Sequence, residues 1–444
     1  MDKSKELEFE STGKLLWKYF VPAFIGLIVQ ALYNIVDRIF IGNYVGVDAF
    51  SGLTLVFPIM MMIMAFGTLT GVGTGVLVSI NMGRKDQETA QRILGTGFTA
   101  SLIVGLVVMI IGFIIKDPLL RSLHPQPATL KYANDYLNII LFGVLFQTTG
   151  WGLNNVIRSQ GYVKTSMYSM LISGITNAIL AGLFVIVFGW GVKGAAFATL
   201  ISMFILALWV VIQLTKKNTF IKLRLKYMGL DFPLLKEILG IGLAAFAINI
   251  ANAAVQLILN GQLIKYGGDK AVAVMGVIGS VSSLSFMTIF GLNMASQPII
   301  GYNFGAKKFD RVKTTLKLSI IWATVIGFIG FFVSMFFPHI LVQAFNHHDK
   351  ALLALGVTGL RICFIVYPLI GIQIIASNYF QSTGKARTAA FLSLLRQVLI
   401  LIPLIVILPR FFGLLGIWYS WPISDLLSAV ITFYYIRKEW RRLY

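Results

Sequence analysis

The chain is short of charge and almost without cysteine: of 444 residues only 12% are charged, 17 are acidic, and Cys363 stands alone. A single thiol excludes a disulfide framework and a thiolate metal cluster. Polar stretches long enough for a soluble domain are also missing, because apolar runs recur from Leu15 to Ile436 with short polar breaks. Those runs hold no DxxD pair, so a membrane prenyl transferase, which needs paired carboxylates for magnesium and pyrophosphate, is excluded and no enzyme is expected. Nor do they hold a filter sequence or charge ring of the kind that marks a channel. The first apolar run contains Asp37 and Arg38 and lacks a small-residue cleavage site, so a cleaved leader is not expected.

What the chain does have is apolar length: 57% of its residues are hydrophobic and the mean hydropathy is +0.82. A bilayer span needs roughly 20 apolar residues. Twelve such runs are read at about 15–42, 50–80, 91–115, 132–157, 165–188, 192–214, 235–264, 271–300, 315–337, 352–380, 388–408 and 412–436. The fold class is therefore an all-α integral membrane protein. A net charge of +20 would suggest a nucleic-acid partner in a soluble protein. Here the lysines and arginines gather in alternate loops, from Arg84 and Lys85 through Lys216–Lys236 and Lys307–Lys317 to Arg437–Arg442, while the opposite loops hold only Lys116, Arg121, Lys131, Lys193, Lys265, Lys270, Lys350 and Arg410. Positive charge marks the cytoplasmic side. Both termini are expected there, in a cell (plasma) membrane, with the lipid bilayer as surroundings and no nucleic acid. The histidines, His124, His339, His347 and His348, fall in expected loops.

The chain repeats itself at half its length. Ser79–Lys85 (SINMGRK) matches Gly301–Lys307 (GYNFGAK) at an offset of 222, Gly191–Gly194 matches Gly413–Gly416 at the same offset, and Asn155–Gly161 matches Asn378–Gly384 at 223. Two six-span halves of equal orientation follow, a parallel repeat about an axis along the membrane normal. The expected domains are an N-terminal lobe over 1–214, a basic linker over 215–231 and a C-terminal lobe over 232–444. In such transporters the functional site lies where the repeats meet, near the midplane.

Of the acidic residues, only Asp37 and Asp425 sit well inside apolar segments, and an ionisable residue there points to function. Gln30, Asn34, Asp37 and Tyr44 share one helical face, with Tyr33 beside them. Arg38 points about 100° away from Asp37 and is a poor ion-pair partner. Asp425, after Ser420, Trp421, Pro422 and Ser424, could instead cap a broken helix. The seventh span answers with Asn249, Asn252, Gln256 and Asn260, where Gln30 pairs with Asn249 and Asp37 with Gln256 at an offset of 219. Such amides either bridge helices or line a cavity. A lone buried carboxylate that gains and loses a proton also attracts a cation, which aromatic rings can hold by cation–π contact. Proton and cation would then exchange at one site.

Asp37-Ile-Phe-Ile-Gly42 with Pro22 upstream, GVGTGVLVSINMGRKD (71–86) and YNFGAKKFDRVK (302–313) together resemble the multidrug and toxic compound extrusion (MATE) family over the whole chain. The resemblance implies a twelve-helix, two-lobed, V-shaped transporter using alternating access. Asp37 would be its coupling carboxylate, Pro22 would lie near a bend, and Gln30, Tyr33, Asn34, Asn249, Asn252 and Gln256 would line the substrate cavity. It further implies a monomer that takes small cationic or amphiphilic substrates and protons and needs no cofactor. Many prokaryotic members carry an Asn and an Asp four apart in the fifth helix; here Asn177 keeps the first position and Ala181 takes the second, while Thr199 matches the polar position of the sixth helix. Where sodium-using members carry acids in the seventh and tenth helices, this chain has Gln256 and Gln373. The resemblance therefore favours protons over sodium. Its alternatives are a sodium-coupled drug antiporter and a flippase of lipid-linked oligosaccharide or lipid, for which Arg361 and Arg396 inside spans would supply cations.

Overall fold

The computed structural model describes residues 3–122, 126–216, 219–344 and 350–442, and every regular element among them is helical. A short α1 (Lys3–Phe9) precedes α2 (Thr12–Tyr44), α3 (Val47–Gly83), α4 (Gln87–Ser122), α5 (Pro127–Ser159), α6 (Val163–Ala181) and α7 (Gly191–Thr215). The second half begins with α8 (Phe232–Gly305), followed by α9 (Phe309–Phe336), α10 (Pro338–Gln343), α11 (Lys350–Phe364), α12 (Ile370–Ser382), α13 (Ala386–Leu394), α14 (Ile402–Ile407), α15 (Pro409–Phe412) and α16 (Leu414–Arg442). Among the described residues ten helices are long and apolar enough to cross a membrane, and eleven spans result when α11 and the Tyr367–Ser382 segment, bent by 42° from each other, count as one. The 74-residue α8 breaks at Gly268 (φ 62°, ψ −162°) and so supplies two spans. Twelve spans follow, with the break where the sequence places the seventh-to-eighth turn.

Two features escape the hydropathy pattern. The tenth span, read as one run over 352–380, is interrupted between Phe364 and Tyr367. The fifth and eleventh spans each contain a π-helical turn, Gly182–Val187 and Leu395–Leu401. His339, expected in a loop, lies exposed on α10. His124, His347 and His348 lie outside the described residues.

The internal repeat is written in the backbone. Lys85 (φ 62°) and Lys307 (φ 58°) are the two non-glycine residues with positive φ among those described, and they are 222 apart. Gly46 and Gly268, Gly191 and Gly413, and Gly161 and Gly384 repeat the same left-handed positions. An L-residue resists that region, so a strained lysine at equivalent points of both halves shows that each half ends its second span with the same turn.

The chain divides into two compact units: unit 1 contains residues up to Glu10, Val21–Phe246 and Gly301–Lys307, and unit 2 contains Ser11–Phe20, Ala247–Ile300 and Lys308 onward. Unit 1 is built on α3, α5 and α7. A Cβ on Gly71 would run into the backbone of Gly152, so these helices meet backbone to backbone. Ser101 Oγ donates to Thr70 Oγ1 at 2.9 Å and Thr148 Oγ1 donates to the Ser101 carbonyl at 3.1 Å. Small residues and hydroxyls hold helices together where lipid supplies no hydrophobic drive. A second close crossing lies in the same unit: a Cβ on Gly83 would strike the Tyr302 carbonyl, and one on Gly305 would strike the Ile80 carbonyl. The two contacts are mates under the 222-residue repeat. α1 seals them, with Leu7 fully buried, its carbonyl accepting from Asn303 Nδ2 at 3.2 Å, and Glu8 Oε2 accepting from the Tyr302 hydroxyl at 3.3 Å.

The segment between α7 and α8 is tied to unit 1. Gln87 Nε2 donates to the Phe220 carbonyl and the Ile221 amide donates to Gln160 Oε1, both at 2.9 Å, while Arg92 pairs with Asp231 at 2.5 Å. Asp231 then caps α8 by accepting from the Leu234 amide. Unit 2 packs α9 closely against the interrupted span, where a Cβ on Gly327 would press on the Tyr367 and Pro368 backbone. The Phe364 and Tyr367 rings stack across the interruption at 4.3 Å.

Candidate ion-coupling site

Asp37 lies on α2, fifteen residues past Pro22, whose missing N–H loosens the helix at that point. Its side chain is 6% exposed. Three sequence candidates converge: Thr199 Oγ1 on α7 donates to Asp37 Oδ2 at 3.3 Å, and Asn177 Nδ2 on α6 donates to Thr199 Oγ1 at 3.1 Å. Among the described residues, Asp37 Oδ1 and Asn177 Oδ1 are buried with no hydrogen-bond partner of good geometry, while the Asn177 amide lies close to the Asp37 carboxylate. Among the described residues no lysine or arginine pairs with Asp37. Arg38 turns away, as its helical angle requires, and stacks over the Phe57 ring at 4.6 Å. Ala181, one turn beyond Asn177, is fully buried.

The reading of single helices missed Tyr136. This buried residue of α5 brings its hydroxyl into hydrogen-bonding reach of Thr199 and lies close to Asp37, Tyr33 and Arg38. No spacing rule within one helix points to it; only the packing of α5 against α7 does. Gln30 and Tyr33 are half-buried on α2, Tyr44 is exposed at its end, and the side chain of Asn34 lies outside those described.

Unit 2 treats its polar residues differently. Asn249 is half-buried, Asn252 and Gln256 are exposed. Asn252 Oδ1 accepts from Gln397 Nε2 at 2.6 Å, and Gln256 reaches Asn260 at 3.5 Å. Gln373 is buried and donates to the Leu392 carbonyl. Asp425 does not cap a broken helix: α16 runs on through Pro422, and the carboxylate meets Arg396 Nε at 2.6 Å in a buried ion pair. That pairing compensates the Arg396 charge, and Arg361 lies exposed on α11. Among the described residues, the cluster around Asp37 thus holds a buried carboxylate without a paired cation, and the one around Asp425 holds a carboxylate with one.

Comparison with known proteins gives the family and the fold. The MatE family model matches residues 22–183 and 244–407. The chain is 29% identical to the multidrug export protein MepA of Staphylococcus haemolyticus, over 98% of this chain and 96% of that one. It is 28% identical to MepA of Staphylococcus aureus, over 96% and 94%. Among solved structures, MATE in its bent conformation superposes with a TM-score of 0.94 at 24% identity, covering 100% of this chain and 98% of that one. The outward-facing conformation of a multidrug resistance MATE family transporter of the MOP superfamily gives 0.93 at 24% identity, covering 100% and 99%.

Proposed function

Since this chain belongs to the MatE family of multi-span membrane transporters, we propose that it exports organic cations or amphiphilic drugs in antiport with protons, using Asp37 as the coupling carboxylate. The multidrug export named for its MepA relatives supports the substrate class. One observation carries the coupling: among the described residues Asp37 is buried without a cationic partner, and neither its Oδ1 nor Asn177 Oδ1 has a well-aligned donor. A proton on Asp37 would supply the missing donor. Its loss leaves a negative charge in apolar surroundings, which draws a cation. Proton and drug cation therefore exclude each other at this carboxylate, and alternating exposure of it to the two sides turns a proton gradient into export.

A hard cation such as sodium prefers many oxygen ligands with carboxylates among them. Asp37, Thr199 and Asn177 offer one carboxylate and two neutral oxygens, with Ala181 adding none, which favours the proton. By the positive-inside rule the protein works in the cell membrane with both termini in the cytoplasm. The test is dye export in everted vesicles under imposed gradients. A pH gradient should drive it and a sodium gradient at fixed pH should not; export driven by sodium alone overturns the proton reading.

A further inference from the structure

We propose that unit 2 carries a recognition site of its own, in which Arg396 takes the carboxylate of zwitterionic aromatic compounds. Arg396 and Gln397 sit in the π-helical turn Leu395–Leu401. Such turns are rare and concentrate at functional sites, because the extra residue re-aims the side chains and frees backbone groups. Here Ser424 Oγ donates to the Arg396 carbonyl at 2.7 Å.

The guanidinium is only partly used. Asp425 accepts from Nε, while among the described residues Nη2 is buried with no acceptor and the side chain as a whole is 6% exposed. An arginine brings five donors in a planar fork, and a second carboxylate fits its outer edge. Apolar residues of similar volume would serve packing as well as a buried ion pair, so packing alone does not call for a charge pair with a donor to spare. Beside the fork the Phe286 ring lies 5.5 Å from the guanidinium carbon, a surface for an aromatic body. Tyr367 stands near both charges, anchored through its hydroxyl to the Ser282 carbonyl at 3.1 Å. It follows the interruption of the tenth span, and irregular backbone at membrane depth is tolerated only inside protein or along a cavity; transporter ligand sites are built at such breaks. The rim is polar: exposed Asn252 binds Gln397 Nε2, and Gln397 Oε1 is buried without a donor. The donor that would take the ligand carboxylate is therefore the Arg396 fork, and Gln397 on the neighbouring flank of the turn adds polarity beside it.

The proposal rests on the export reading only for its choice of amphiphilic ligand, and its test needs no gradient. Rhodamine B and its ethyl ester share one cationic ring system and differ in whether the carboxylate is free. Binding of each to the purified full-length protein is measured by fluorescence anisotropy for wild type and for Arg396→Gln/Asp425→Asn, which leaves no orphan charge. The acid should lose roughly tenfold in affinity, as for a lost charge-assisted hydrogen bond, and the ester should change less than twofold. Equal change for both dyes, or none, makes the pair a packing element and overturns the site. Should the double variant fail to fold, Arg396→Lys keeps a cation beside Asp425 without the fork; selective loss of the acid again supports the site and an equal change overturns it. Loss of gradient-driven export with this selectivity intact would strike the export reading alone.

Discussion

Asp37→Asn keeps the shape of the side chain and removes its titration. The variant should insert and fold as wild type does and lose pH-driven export to the background of empty vesicles; wild-type export by the purified, reconstituted variant would remove Asp37 from the coupling step. Ala181→Asp tests the missing second acid. Residue 181 is buried one helical turn from Asn177, so side chains at both positions address the same neighbours. The added carboxylate should create sodium-dependent thermal stability at fixed ionic strength, absent from wild type, and the two acids should titrate as a coupled pair. A folded variant indifferent to sodium would show that position 181 does not face Asp37. Asp37 was legible because the cost of a buried charge is a property of one position. Asn177 and Thr199 were reached only through family resemblance, and Tyr136 not at all, because their meeting depends on which helices are neighbours. The same limit applies to Asp425, whose partner Arg396 is 29 residues away on another helix.

Helices were read from the length of apolar runs, and that signal survives wherever a span is regular. It is silent about the interruption after Phe364 and about both π-helical turns, since a change in hydrogen-bond register leaves hydropathy untouched. It is also silent about which glycines bring helices together. Gly71 and Gly240 look alike in sequence, yet a Cβ on Gly71 meets the Gly152 backbone while one on Gly240 meets nothing within 4 Å. Gly71→Val should therefore cost about 1–3 kcal/mol through overpacking, seen as a lowered melting temperature in detergent, whereas Gly240→Ala should be neutral or slightly stabilising. Equal melting temperatures for the two variants would mean that α3 and α5 can part without penalty.

At the scale of the whole chain, the twofold repeat was the most legible feature, because glycines and polar loops kept their offset while the apolar spans between them drifted. With Asp425 held by Arg396 and Glu439 by Lys385, Asp37 is the buried acid without an ion-pair partner among the described residues; if it alone couples, one proton enters for each monovalent cation expelled. No net charge moves. A potential supplies ~2.3 kcal/mol per charge per 100 mV and a tenfold proton gradient about 1.4 kcal/mol, so at clamped pH an imposed potassium diffusion potential should leave export of a monovalent dye unchanged. Strong stimulation by voltage would require a second titrating group.

The crossing of Gly83 on Tyr302 and of Gly305 on Ile80 carries a historical consequence. In an ancestor assembled from two copies of a six-span chain, these contacts would have been one contact met twice, so a single codon governed both sides and any side chain placed there blocked the pair at once. Duplication into one gene would have uncoupled the two codons without relaxing either, because each glycine lies against the other half's main chain. The two halves are thereby free to diverge in chemistry, as the lone Asp37 and the paired Asp425 show, while remaining copies of each other at the point where they touch.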